Sequence, residues 1–243
     1  MQLLIDCGNS RLKWAYAGAG AWRSDAVLHA GASLEDVATR AFAQTSPPES
    51  IWMSCVAGGP ACTMLARLLR QRFGVEPNVV RATRAAAGVS NRYARPEQLG
   101  SDRWAALIGA RGMTQAACAV INCGTAVTVD SLNATGEFLG GVIFPGLRLA
   151  RTSLAGATAA LDVAPGADDD CFARATTDAI GAGTRYGIAG GIERVVREFM
   201  AVLGPLEVVV SGGDAPQFIP LLALPARHEP DLVLKGLARL AAA

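Results

Sequence analysis

Histidine is scarce in this chain of 243 residues: His29 and His228 are the two present, far apart in sequence and beside no obvious acid or nucleophile. Both read as surface or hydrogen-bond-satisfied residues rather than catalytic bases. The six cysteines, at positions 7, 55, 62, 118, 123 and 171, form no C-x-x-C pair. That argues against a zinc site or a disulfide framework; mostly apolar neighbours mark them as buried reduced thiols of a cytosolic protein. No apolar run reaches the roughly 20 residues of a membrane span. The N-terminus enters strand-like sequence without a basic n-region or cleavage site, so a cytoplasmic location and no membrane partner are expected. An excess of one charge is also missing. At a net +1 the chain carries no overall field that would gather nucleic acid. The arginines between Arg67 and Arg95 fall on an amphipathic helix and the loop after it, and read as a solvated face.

What is present is apolar: 51% hydrophobic against 18% charged residues, which describes a packed globular protein. The length allows one large domain or two lobes of roughly 100–150 residues. Strands are expected over 2–6, 12–17, 27–30, 51–56 and 79–80, and helices over 34–43, 60–73 and 101–111. Ser33 and Asp36 approximate a capping box for the first helix, and Leu65, Leu68, Leu69 and Phe73 form one stripe of the second. The polar stretch to Gln98 reads as a loop. The pattern then restarts, with strands at 119–122, 126–131, 138–143 and 207–211 and helices at 146–155, 177–203, 215–222 and 232–240. This duplicated α/β arrangement divides the chain into 1–115 and 116–243.

The repeat is clearest at two turns. "LIDCGNSRLKWA" begins at Leu4 and "INCGTAVTVDSL" at Ile121. Each is an apolar strand, an acid or amide, a spacer, glycine, a small polar residue and a second strand. Glycine between two strands lets backbone N–H groups approach an anion closely. One such turn is equally an ordinary hairpin; two, each opening a lobe, point to a clamp for successive phosphates.

These residues carry a resemblance to the superfamily of acetate and sugar kinases, Hsp70 and actin. "DCGNSRLK" (Asp6–Lys13), "YARPEQLGSDR" (Tyr93–Arg103), "NCGTAVTVD" (Asn122–Asp130), "GGVIFPG" (Gly140–Gly146) and "SGGDA" (Ser211–Ala215) together resemble type III pantothenate kinase. The resemblance implies an α/β fold of two duplicated ribonuclease-H-like lobes with a nucleotide cleft between them. The implied activity is ATP-dependent phosphorylation of pantothenate to 4'-phosphopantothenate, the first step of coenzyme A biosynthesis.

For the site, the resemblance implies that Asp6, Cys7, Gly8, Asn9, Ser10, Arg11, Leu12 and Lys13 form one ATP-binding segment and Gly124 and Thr125 the other. Asp6 suits a Mg²⁺ bound to the phosphates through water, and can equally order the turn as an Asx residue. Tyr93, Gly100, Ser101, Asp102, Arg103 and Thr176 are implied at the pantothenate site, with Thr177 the competitor of Thr176. Asp102 is the expected general base. With Ser101 as a helix cap, Asp102 falls in the first turn, where the helix dipole keeps it ionised; the same dipole favours an aspartate there without any catalytic role. Arg103 offers a planar fork to a carboxylate or phosphate. Tyr93 either hydrogen-bonds substrate or packs on Pro96. "SGGDA" suits the adenosine side of the nucleotide, and Asp168–Asp170 reads as solvated surface.

Asn122 departs from the family pattern, which has aspartate there, implied to bind an activating monovalent cation. An amide keeps a carbonyl ligand but loses a full charge, so K⁺ or NH₄⁺ is expected to be held more weakly or by other groups. A homodimer is implied. Two other readings stay open: a sugar or acetate kinase of the same superfamily, and a non-enzymatic transcription accessory factor on this scaffold.

Overall fold

The computed structural model describes residues 1–18, 20–43, 45–156 and 170–243. In chain order the strands and helices are β1 (Gln2–Cys7), β2 (Arg11–Gly18), β3 (Ala21–Leu28), α1 (Leu34–Phe42), β4 (Ser50–Cys55), α2 (Gly59–Phe73), β5 (Pro77–Val79), β6 (Ala85–Ala86), β7 (Val89–Asn91), α3 (Ser101–Met113), β8 (Cys118–Cys123), β9 (Ala126–Leu132), β10 (Glu137–Pro145), α4 (Leu147–Gly156), α5 (Thr176–Leu203), β11 (Glu207–Ser211), α6 (Ala215–Phe218), β12 (Arg227–His228) and α7 (Leu232–Ala241). They form two compact units. The first holds Met1–Gln115, Gly136–Phe138 and Asp231–Ala243; the second holds Ala116–Thr135 and Leu139–Pro230.

The first unit is built on the sheet β3-β2-β1-β4-β5. Strand β1 pairs antiparallel with β2 and parallel with β4. Leu3, Leu4 and Ile5 are all fully buried, as expected of a central strand covered on both faces. One face carries α1 and α2, whose Phe42, Leu65, Leu69 and Phe73 close a core with Ile5, Trp14, Ile51 and Met53. Ser33 caps α1 through the Asp36 N–H at 3.3 Å. Helices α3 and α7 pack together, and both lie against β4. Their backbones touch through glycine: a Cβ on Gly236 would strike the Ala105 carbonyl, and one on Gly109 the Leu232 carbonyl.

That close packing corrects the division expected from sequence, in which 116–243 formed the second lobe. The amphipathic helix α7 buries Leu232, Val233, Leu234 and Leu237 and belongs to the first unit. Glu137 and Phe138 belong there too, because they pair with Ser90 and Asn91 of β7. The stretch read as a plain loop before Gln98 contains β6, β7 and a short 3₁₀ turn at Pro96–Gln98.

In the second unit the strand order is β12-β11-β8-β9-β10. Strand β8 pairs antiparallel with β9 and parallel with β11, as β1 does with β2 and β4. The two units thus repeat one topology, with β8 in the place of β1 and β11 in that of β4. Helix α5 lays Ile188, Ala189, Ile192 and Val196 on this sheet, against Ile121, Val127, Val129, Val208 and Val210. Thr176 begins α5 and is exposed, while Thr177 is half-buried. The helix expected over 215–222 is α6 followed by a 3₁₀ turn at Ile219–Leu221. Asp168 and Asp169 lie outside the described residues; Asp170 Oδ1 accepts from the Phe172 N–H at 2.8 Å.

Candidate active site

Asp6 stands at the end of β1, in register with Lys13 on β2 and Ser54 on β4. Its Oδ1 is shut off from solvent and has no hydrogen-bond partner. Burial, then the charge of Asp102, push the Asp6 carboxyl up to about 7, with Lys13 pulling the other way. Burial likewise lowers the Lys13 ammonium, and Asp6 opposes that. A buried carboxylate oxygen with no donor fits a water-coordinated cation. Among the described residues no group of three or more His, Cys, Asp or Glu side chains is arranged to hold a metal. The residues therefore fit a Mg²⁺ carried mainly by phosphates and water, with Asp6 as its protein contact, and not a closed protein cage.

The turn after Asp6 is held from behind by His29, which the sequence marks as a surface or hydrogen-bond-satisfied histidine and which is here the latter. The Gly8 N–H donates to the Arg11 carbonyl at 3.0 Å. His29, buried at 8% exposure, donates its Nε2–H to the Gly8 carbonyl at 2.9 Å and its backbone N–H to the Ser10 carbonyl at 3.0 Å. A carbonyl can only accept, so Nε2 carries the proton. A carbonyl facing a phosphate is repulsive, and both of these are engaged by donors. The signal was available in the β2–β3 pairing, which sets Leu28 opposite Arg11 and so His29 beside Ser10.

Asp102 is the second residue of α3. Gly100 is the cap residue and Ser101 the first helical position, with no side-chain cap bond; this corrects the expectation that Ser101 caps the helix. The Ser101 hydroxyl instead meets that of Ser54 at 2.9 Å. A Cβ at Gly100 would lie 2.6 Å from Asp102 Oδ1, so glycine leaves room for the carboxylate to fold back. That oxygen accepts from the Arg103 N–H at 2.8 Å. Burial raises the Asp102 carboxyl above its usual range, against the pull of the Arg103 N–H and guanidinium. Burial therefore outweighs the ionising influence expected of the helix terminus, and Asp102 becomes a stronger base than an ordinary aspartate.

Arg103 is buried at 7% exposure. Its Nη1 donates to the Tyr93 hydroxyl at 3.2 Å, and its guanidinium carbon lies 6.0 Å from the Tyr93 ring centre and 5.8 Å from that of Phe138. Tyr93 packs on Phe138 at 5.3 Å between ring centres. Arg84 orders the loop that carries Tyr93, donating to the carbonyls of Asn91 and Tyr93 at 3.0 Å and of Ala94 at 3.4 Å. Asp6, Lys13, Tyr93 and Gly100–Arg103 all belong to the first unit.

Gly124, Thr125 and Thr176 belong to the second unit. There the three motifs of the resemblance meet at one turn. The Gly124 N–H donates to Ala126 and the Gly146 N–H to Thr125, each at 3.0 Å. A Cβ on Gly146 would strike the Gly124 carbonyl, and one on Gly212, at φ +98°, the Cys123 carbonyl. Asn122 is in register with Thr128 and Ser211, as Asp6 is with Lys13 and Ser54. Thr176 stands at the start of α5 and is exposed.

The fold is of a ribonuclease-H-like, two-unit class that the chain shares with solved structures. A ROK family glucokinase from Streptomyces griseus, solved with glucose and AMPPNP, superposes with a TM-score of 0.52 at 13% identity, covering 98% of each chain. A Campylobacter jejuni protein described as belonging to the Baf family of transcriptional activators superposes at 0.60 and 17% identity, covering 99% of this chain and 97% of that one. Within the class, the family model of type III pantothenate kinase matches residues 2–198. The type III pantothenate kinase of Aromatoleum aromaticum is 45% identical over 240 residues, 98% of this chain and 96% of the relative. That of Nitrosococcus oceani is 36% identical over 249 residues, 99% and 94% of the two chains. The chain belongs to the type III pantothenate kinase family.

Proposed function

We propose that this protein is a pantothenate kinase in which Asp102 is the general base. It transfers the γ-phosphoryl group of ATP to the primary hydroxyl of pantothenate, the first step of coenzyme A synthesis. The observation that carries the assignment of the base is the half-buried Asp102 carboxyl, raised by burial and adjoining the ring-held guanidinium of Arg103. Arg103 and Tyr93 bind pantothenate, Arg103 through its carboxylate, and so orient the hydroxyl toward Asp102. Asp102 accepts the hydroxyl proton as the oxygen attacks the γ-phosphorus and the bond to the leaving ADP oxygen breaks.

The Asp6–Lys13 segment and the Gly124–Thr125 turn bind the ATP phosphates, with Lys13 adding a positive charge. A Mg²⁺ held through water by Asp6 supplies charge neutralisation when bound. Asn122 offers a carbonyl where a carboxylate would bind a monovalent cation more tightly, so activation by K⁺ or NH₄⁺ is weaker or uses other ligands. Thr176 contacts substrate, and the protein acts as a homodimer in the cytoplasm. Among the described residues no helix is long and apolar enough to cross a membrane.

A coupled assay of ADP release with ATP and pantothenate, with and without K⁺, tests the reading. Asp102→Asn is expected to keep the fold and ATP binding while losing turnover by about 10²–10⁴-fold. Turnover at the wild-type rate would remove Asp102 as the base. Phosphorylation of a sugar or acetate in place of pantothenate would overturn the substrate.

A further inference from the structure

Asn91 ends β7 and is 2% exposed, and the phosphoryl transfer gives it no part. A buried amide is costly unless both of its ends are hydrogen-bonded. Here both are. Oδ1 accepts from the Tyr93 N–H at 2.9 Å, and Nδ2 donates to the Pro96 carbonyl at 3.2 Å. A backbone donor on one side and a backbone acceptor on the other fix which end is oxygen and which is nitrogen. The side chain thus bridges Tyr93 to the 3₁₀ turn at Pro96–Gln98, after which Leu99 leads into Gly100–Arg103.

The backbone of Asn91 is itself held on both sides. Strands β6 and β7 pair across Ala87 and Gly88, both at positive φ, 47° and 84°, the tight turn that suits a hairpin. The Asn91 N–H donates to the Arg84 carbonyl at 2.9 Å. On the other side Asn91 stands in register with buried Phe138. The Ser90 N–H donates to the Gly136 carbonyl at 2.9 Å and the Arg92 N–H to the Phe138 carbonyl at 3.2 Å. Tyr93, in contrast, lies two residues beyond the end of β7. Of the hydrogen bonds that hold it, the one to Asn91 is 2.9 Å, that from Arg84 to its carbonyl 3.0 Å and that from Arg103 to its hydroxyl 3.2 Å. Arg84 is exposed whereas Asn91 is buried, so the Asn91 bond is the one shielded from water, where hydrogen bonds are strongest.

We propose that Asn91 is a positioning residue for the pantothenate site, acting through Tyr93. It sets where the Tyr93 hydroxyl stands beside the Arg103 guanidinium, and so how tightly the pair grips substrate, without touching substrate itself. This rests on the reading of Tyr93 and Arg103 as substrate contacts. Without the amide the Tyr93 N–H turns to water and the ring shifts on Phe138. A misplacement of about 1 Å at a positioning group costs up to about 100-fold.

The test is a double-mutant cycle on the full-length protein, with KM measured for each substrate and Tm measured in parallel. Asn91→Leu removes both hydrogen bonds at similar volume, and Asn91→Ala serves as the second variant should leucine not fold. Either should raise KM for pantothenate by about 10–100-fold and leave KM for ATP little changed. In a Tyr93→Ala background the same substitution should add nothing to KM for pantothenate, because the group it positions is gone. An equal rise in both KM values, or an additive loss in that background, assigns Asn91 a structural role and overturns the proposal. If Tyr93→Ala raises KM for pantothenate and Asn91→Leu does not, the proposal alone falls. If Tyr93→Ala has no effect, Tyr93 is not a substrate contact and the reading of the site falls with it.

Discussion

The hydroxyls of Ser54 and Ser101 meet at 2.9 Å, and this one contact ties together the neighbourhoods of two carboxylates of the candidate site, Asp6 and Asp102. Ser54 stands in register beside Asp6, and Ser101 precedes Asp102 at the start of α3. The contact fixes the helix terminus against β4, and the two acids feel each other: the charge of Asp102 helps to raise Asp6.

That coupling has a consequence for pH. The Asp6 carboxyl is raised from 3.8 to about 7 in the folded chain. Between those values the folded state keeps a proton that the unfolded state has released, so stability falls as pH rises through this window. Thermal unfolding without nucleotide or Mg²⁺ should show a Tm that decreases from about pH 4 to about pH 7. Asp6→Asn should flatten that slope; an unchanged slope would mean that Asp6 is not the titrating group.

His29→Ala should leave the Gly8 carbonyl without its donor, costing about 1–3 kcal/mol of stability. Its effect on catalysis should fall mainly on KM for ATP rather than on kcat. His29→Gln, which retains a donor, should recover part of both losses. Equal effects on the KM values for ATP and pantothenate would assign His29 a general structural role only.

Arg103→Lys keeps the charge but loses the planar fork that lies against the Tyr93 and Phe138 rings. The expected outcome is a rise of about 10–100-fold in KM for pantothenate, equivalent to about 1–3 kcal/mol, with KM for ATP little changed. Steady-state kinetics with each substrate varied in turn measures this directly.

Gly236→Ala would drive a Cβ into the Ala105 carbonyl, forcing α7 away from α3 at a cost of about 1–3 kcal/mol. Urea denaturation should show a lower midpoint. An unchanged midpoint would mean that the two helices can separate without loss.

Parts of this architecture were readable because local chemistry decides them. Ser33 and Asp36 announced the start of α1, and the cap bond is there. The glycine turns after Asp6 and Asn122 showed themselves through their flanking strands. The strands β6 and β7 were not readable, being two and three residues long, too short to carry a period. The partner of Tyr93 is Phe138, 45 residues away in sequence, where proximity along the chain had suggested Pro96. His29 looked idle because its hydrogen bonds go to backbone carbonyls, which no side-chain motif records.

By itself the order of residues determined where most of the longer strands and helices and the two glycine turns fall, since apolar period, caps and glycine act over a few neighbours. It also carried the family, through motifs spread along nearly the whole length. Only the tertiary structure decided that α7 returns to the first unit and that His29 holds the Gly8 turn. Those relations join residues distant in the chain, and they depend on backbone approach and strand register, which no single stretch of sequence encodes.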